Sequence, residues 1–97
     1  MVDVLLLMHD DTTTEPVGWD DYFTRLNELG VFRGGSAIGV GDAFRKAGTA
    51  GPVAVRLTGY IRVEVASLAA AGDLLSGNPT YEAGGTVEIR ELPRDDG

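Results

Sequence analysis

Apolar and polar positions along residues 59–92 spell out a strand, a helix and a second strand. Ile61, Val63 and Val65 alternate with Tyr60, Arg62 and Glu64, the period of two that turns one face of a strand toward a core. Ser67 stands where a helix N-cap belongs, with a hydroxyl oxygen able to accept from backbone N–H groups that lack a partner in the first turn. Leu68, Ala71, Leu74 and Leu75 follow at helical spacing, and Gly77 with Asn78-Pro79 is expected to end that helix. Gly84-Gly85 predicts a turn with a positive φ at one or both positions. Beyond it, Val87 and Ile89 alternate with Glu88 and Arg90 in a last strand.

The first half of the chain reads less regularly. Residues 2–8 are almost unbrokenly apolar, which suits a strand covered on both faces in the middle of a sheet. Residues 9–14 are polar and rich in turn formers. Trp19, Tyr22, Phe23, Leu26 and Leu29 then recur at three- and four-residue steps, with Asp20, Asp21, Arg25 and Glu28 between them. This predicts an amphipathic helix opened by Thr14 and Pro16 and closed by Gly30, its aromatics read as core rather than as a stacking platform. Residues 31–40 form a weak strand whose glycines point to a bulge or a close backbone approach. Residues 41–52 read as a loop, and residues 53–57 as an extension of the next strand or an arm. One domain spans residues 1–92, and residues 93–97 are a polar tail expected to fray.

The order β-α-β-β-α-β is that of the split βαβ, ferredoxin-like arrangement, an α+β fold with a four-stranded antiparallel sheet and both helices on one face. Its first and third strands are central. If Ile61, Val63, Val65, Val87 and Ile89 face the helices, then Tyr60, Arg62, Glu64, Glu88 and Arg90 face away. That open face mixes apolar with charged side chains, a surface that a second subunit or a ligand usually covers.

Composition narrows the classes. A chain of 97 residues buries only about 60–65% of its unfolded surface, so pairing with a second copy would help it. Fifteen acidic against eight basic side chains, Lys46 the one lysine, give a formal charge of −7. That balance argues against nucleic acid and against an anionic membrane surface. No run approaches the roughly 20 apolar residues of a membrane span, and the apolar residues 4–8 lack the flanks of a signal peptide, so a cytoplasmic setting is expected. The absence of cysteine excludes thiolate chemistry.

The stretches DYFTRLNELGVFRGGSAIG (residues 21–39) and LTGYIRVEVASLAAAGDLLSGNPTYEAGGTVEIREL (residues 57–92) resemble the two signature regions of the YCII-related (YciI-like, DGPF) domain family. VDVLLLMHDD resembles its first strand. The resemblance implies a dimeric α/β barrel of ferredoxin-like subunits packed sheet to sheet, an architecture that fixes no function by itself. It also implies a His–Asp pair in the cleft. Asp42 matches the aspartate, whereas the histidine position falls at Trp19 or Asp20. Where the family carries Asp-Gly-Pro-Phe, this chain has Thr58-Gly59-Tyr60.

Among candidate groups, His9 is the only histidine and lies beside Asp10 and Asp11. It is read as a solvated turn residue, a general base oriented by a carboxylate being the alternative. No metal site is expected, because no second His and no Cys completes a shell. No cofactor is expected either: Gly34, Gly35 and Gly39 lack both the order and the following helix of a dinucleotide site. Arg62, Glu64, Glu88 and Arg90 read first as cross-strand ion pairs. Functionally, Arg62 and Arg90, with Tyr60 and Glu88, would hold an anionic ligand. Two readings result. One is a homodimer with a cleft for a small organic molecule. The other is a cofactor-independent enzyme working by acid–base chemistry on a carbonyl or lactone, with His9, Asp42 or Glu64 as base. The sequence does not decide between them.

Overall fold

The computed structural model describes residues 1–53 and 56–94. The apolar run at the start of the chain becomes β1 (Val2–His9), and it is central. β3 (Leu57–Val65) pairs along one side of it and β4 (Val87–Leu92) along the other, both antiparallel, and β2 (Phe32–Ala37) adds outside β3. The result is an α+β fold around one antiparallel sheet, in the order β2-β3-β1-β4. Val4, Leu6 and Met8 of β1 alternate into the same core as Ile61, Val63 and Val65 of β3. Tyr22 and Leu26 of α1 (Trp19–Glu28) cover them, as does Ala71 of α2 (Leu68–Gly72). The helices therefore share one face of the sheet. The molecule is only 19 Å across its thinnest direction, as expected of one sheet and one helical layer. Leu6, Leu26 and Ile61 are essentially sealed from water, and truncating any of them to Ala would cost about 2–5 kcal/mol.

Three local features depart from the expected pattern. The helix α1 begins at Gly18 (φ 93°), with no side-chain cap, rather than at Thr14 and Pro16. Thr13 and Thr14 are engaged elsewhere: both donate their N–H to the Ala83 carbonyl, at 2.8 and 3.3 Å. The other end is as expected. Gly30 (φ 72°) is left-handed, its N–H bonding to Asn27 O and that of Val31 to Leu26 O, the Schellman pattern. Leu29, counted with the apolar face, is exposed.

The second helix is also shorter than its apolar spacing implies. Ser67 caps α2, its Oγ accepting from Ala70 N, but α2 ends at Gly72. The next N–H groups, of Asp73, Leu74 and Leu75, reach back three residues instead of four, which winds the chain tight and ends it. Asn78-Pro79 does not stop that helix; it starts another, α3 (Pro79–Glu82). Asn78 Oδ1 accepts from Tyr81 N and Pro79 occupies the first turn, where its missing N–H is no loss.

The glycines of β2 act as expected. Its register against β3 slips between Phe32 and Gly35. At Gly35 a Cβ would lie 2.6 Å from the Tyr60 carbonyl oxygen, so only glycine permits this approach. After Ala37, residues 38–53 form no helix or strand, and they carry Val40 and Phe44 almost wholly exposed. Of residues 53–57, Ala54 and Val55 lie outside the described residues. The tail is anchored at its start: Arg94 grips Asp3 through Nε (2.7 Å) and Nη2 (3.2 Å) and reaches Glu64 at 2.5 Å.

Candidate functional site

A cleft of about 680 Å³ opens where β1 finishes, β3 begins and β2 ends, roofed by the start of α1. The i, i+4 pair Trp19 and Phe23 forms one wall, their rings stacked at 5.8 Å and 25°. Phe32 meets Phe23 edge-on at 5.5 Å and continues that wall. Gly35 and Gly59 sit on the adjacent strands, where β2 and β3 run too close for side chains. The aromatics are only half-buried. Trp19 and Phe23 thus border the core and also face the cleft, which corrects their reading as core alone.

Polar groups sit at the rim. Among the described residues no lysine or arginine lines the cleft. Its charged-type side chains are His9 and Asp10, and Asp10 Oδ2 is paired with Arg56 Nη2 at 2.9 Å. Thr12, Ser36, Thr58, Tyr60 and Thr80 also border it.

His9 is not the solvated turn residue expected. It is the last residue of β1, its side chain is 17% exposed, and its Nε2 lies 2.7 Å from Glu88 Oε2 on β4. The bond from His9 is the main reason the Glu88 carboxyl sits below its ordinary range; Arg90, 3.4 Å from its other oxygen, adds to this. The loop after β1 is locked to the strand entering from the other side. Asp11 Oδ1 accepts from Thr86 N at 2.7 Å and Oδ2 from Thr86 Oγ1 at 2.6 Å, and these bonds lower the Asp11 pKa.

The other sequence candidates lie elsewhere. Asp42 is exposed in the segment after β2, where its Oδ1 accepts from Ala43 N, and it does not line the cleft. Glu64 pairs with Arg33 (3.4 Å) and Arg94, not with Arg62. Arg62 makes no ion pair among the described residues, and Glu88–Arg90 is a pair along one strand, so the expected cross-strand pairing does not form among Arg62, Glu64, Glu88 and Arg90. Arg62 and Arg90 are on the face away from the helices, one on each side of Leu5. Of the residues singled out from sequence, His9 and Tyr60 border the cleft, their side chains alternating to the face away from the helices, where His9 meets Glu88. Sequence reasoning missed Phe32, Arg33 and Arg94. The spacing of Trp19 and Phe23 was visible, but a helical stripe does not tell whether the space beneath it is filled.

Among the described residues no group of three or more His, Asp or Glu is placed to hold a metal ion, and no helix is long and apolar enough to cross a membrane. Comparison with protein-family models, curated proteins and solved structures gives no match to this chain.

Proposed function

We propose that the chain is one subunit of a homodimer of the YCII-related kind, and that each subunit binds a small, uncharged, ring-bearing organic molecule in the cleft beneath Trp19 and Phe23. The observation that carries this is the cleft itself. Its volume is in the range of small-ligand sites, its wall is aromatic, and no lysine or arginine among the described residues lines it. An anionic ligand held by Arg62 and Arg90 would have to sit on the open face instead, where the two arginines flank an apolar side chain.

The ferredoxin-like reading is supported by the strand order and directions. β2 runs parallel to β1, and β4 parallel to β3, each pair joined through helical segments. The dimer is supported by the open face, where Leu5, Leu7 and Leu92 stand half-covered among charges. Packing two such faces together would form the dimeric barrel. The cytoplasmic setting expected from the sequence stays part of the same proposal.

The test uses N-phenyl-1-naphthylamine, a neutral aromatic probe that brightens in apolar sites. Saturable binding at micromolar concentration is expected. It should be lost in Ala37→Phe, which fills the cleft from an exposed strand position on the same face as Gly59 and Ile61, and kept in Arg62→Met and Arg90→Met. Absence of saturable binding, or equal binding by Ala37→Phe, would overturn the cleft as the ligand site.

A further inference from the structure

The two ends of the cleft lie over different strands and differ in chemistry. We propose that Thr80 is its specificity-determining residue, the Thr80 hydroxyl bonding a neutral oxygen substituent, hydroxyl or carbonyl, on the bound ring. The assignment rests on the cleft being a ligand site.

The sheet sets the direction of the cleft. β2 is one edge of the sheet and β4 the other. Phe32 stands on β2 and joins Trp19 and Phe23 in the aromatic wall. The cleft then crosses Gly59 of β3 and Met8 of β1, which are register partners. Beyond Met8 comes the turn before β4, whose first residue, Val87, pairs with Met8. Thr12 and Thr80 meet at that turn: a Cβ on Gly85 would lie 2.8 Å from the Cγ2 of each. A ring seated against the aromatic wall therefore points its far side toward the two threonines.

Most hydroxyls bordering the cleft are spent elsewhere. Ser36 donates to Ala37 O at 2.9 Å and Thr58 to Met8 O at 3.4 Å, while Tyr60 alternates to the face away from the helices. The hydroxyls of Thr12 and Thr80 bond to no described residue. Thr80 is the more constrained, being only 2% exposed. Among the described residues, the buried side-chain polar atom shut away without a partner is Asn78 Nδ2 and not the Thr80 hydroxyl. With its methyl set against Gly85, Thr80 thus keeps its small open surface at the hydroxyl, on the cleft. Nor does the fold need that oxygen, because Asn78 Oδ1 already caps α3 by accepting from Tyr81 N.

A ligand that fills the cleft must either bond this hydroxyl or strand it. A hydroxyl both donates and accepts, so a ring hydroxyl or ring carbonyl satisfies it and a methyl of similar size does not. The favoured ligand is therefore an oxygenated, uncharged aromatic rather than a plain hydrocarbon.

The experiment displaces N-phenyl-1-naphthylamine with 2-naphthol and with 2-methylnaphthalene, which share a shape, and reads the ratio of their affinities. Thr80→Val exchanges hydroxyl for methyl and should move that ratio at least about tenfold toward 2-methylnaphthalene. Thr80→Ser keeps the hydroxyl and should keep the wild-type ratio. Without ligand, Thr80→Val should melt no lower than wild type, since no bond within the protein is lost. An unchanged ratio in a Thr80→Val protein that still binds N-phenyl-1-naphthylamine would retire Thr80 and leave the cleft standing. Equal shifts in Thr80→Ser and Thr80→Val would assign the effect to packing and overturn the proposal, as would a marked fall in the melting temperature of Thr80→Val. Wild-type protein that does not bind N-phenyl-1-naphthylamine would retire the cleft and Thr80 together.

Discussion

Arg62 and Arg90 stand opposite the same residue: Leu5 of β1 is the register partner of Arg62 on β3 and of Arg90 on β4. An apolar side chain between two guanidinium groups marks the middle of the face away from the helices. Arg90 has a carboxylate partner in Glu88, while Arg62 pairs with none among the described residues.

If that face is where two copies meet, a charge at its centre should separate them. Leu5→Glu is expected to convert a micromolar dimer to monomer in sedimentation velocity, with an unchanged far-ultraviolet circular dichroism spectrum. A dimer stable at such concentrations would bury at least about 1,200 Å² in total. Wild-type protein that sediments only as monomer would defeat the dimer.

Acid should weaken the fold in a defined window. Asp11 is held below its ordinary value of 3.8 chiefly by the Thr86 hydroxyl, Asp3 by its bond from Arg94, and Glu88 below 4.5 by its bond from His9. Each carboxylate is ionised more readily folded than unfolded. Their contribution is thus complete above those ordinary values and is lost as pH falls through the lowered ones. Melting temperature should hold from about pH 7 to pH 5 and drop below about pH 4, and Asp11→Asn should melt lower at neutral pH with a shallower acid decline.

The turn before β4 should tolerate little. Gly84 has φ 85°, and at Gly85 a Cβ would lie 2.8 Å from both Thr12 Cγ2 and Thr80 Cγ2. Gly85→Val is expected to cost about 1–3 kcal/mol by crowding, and Gly84→Ala a similar amount through backbone strain. Denaturant midpoints measure both. An unchanged midpoint in Gly85→Val would show that the loop after β1 yields freely.

Inside the core, Tyr22 donates its hydroxyl to the Leu74 carbonyl at 2.8 Å and so ties α1 to the chain following α2. Tyr22→Phe keeps the ring and strands that buried carbonyl, which should lower stability by about 1–3 kcal/mol in urea unfolding. Because α1 also carries Trp19 and Phe23, the same variant should loosen the wall of the cleft and weaken probe binding.

What residue pattern alone determined here is what depends on neighbours in the chain. Alternation at Ile61, Val63 and Val65, the cap at Ser67, the glycine end at Gly30 and the strained β2 follow from local dihedral and burial preferences. The unbroken apolar run at 2–8 also announced a central strand. Tertiary structure decided the rest, because it depends on groups far apart in sequence. Asn78-Pro79 starts a helix because the chain before it has already wound tight, and Thr14 does not open α1 because its backbone is tied to Ala83, four residues before the helix begins at Gly18. His9 meets Glu88 across 79 positions, and no spacing rule links residues whose contact is made by two strands pairing side by side. The cleft exists for the same reason. Trp19 and Phe23 have the periodicity of core residues, and only the geometry of helix against sheet leaves the space beneath them open.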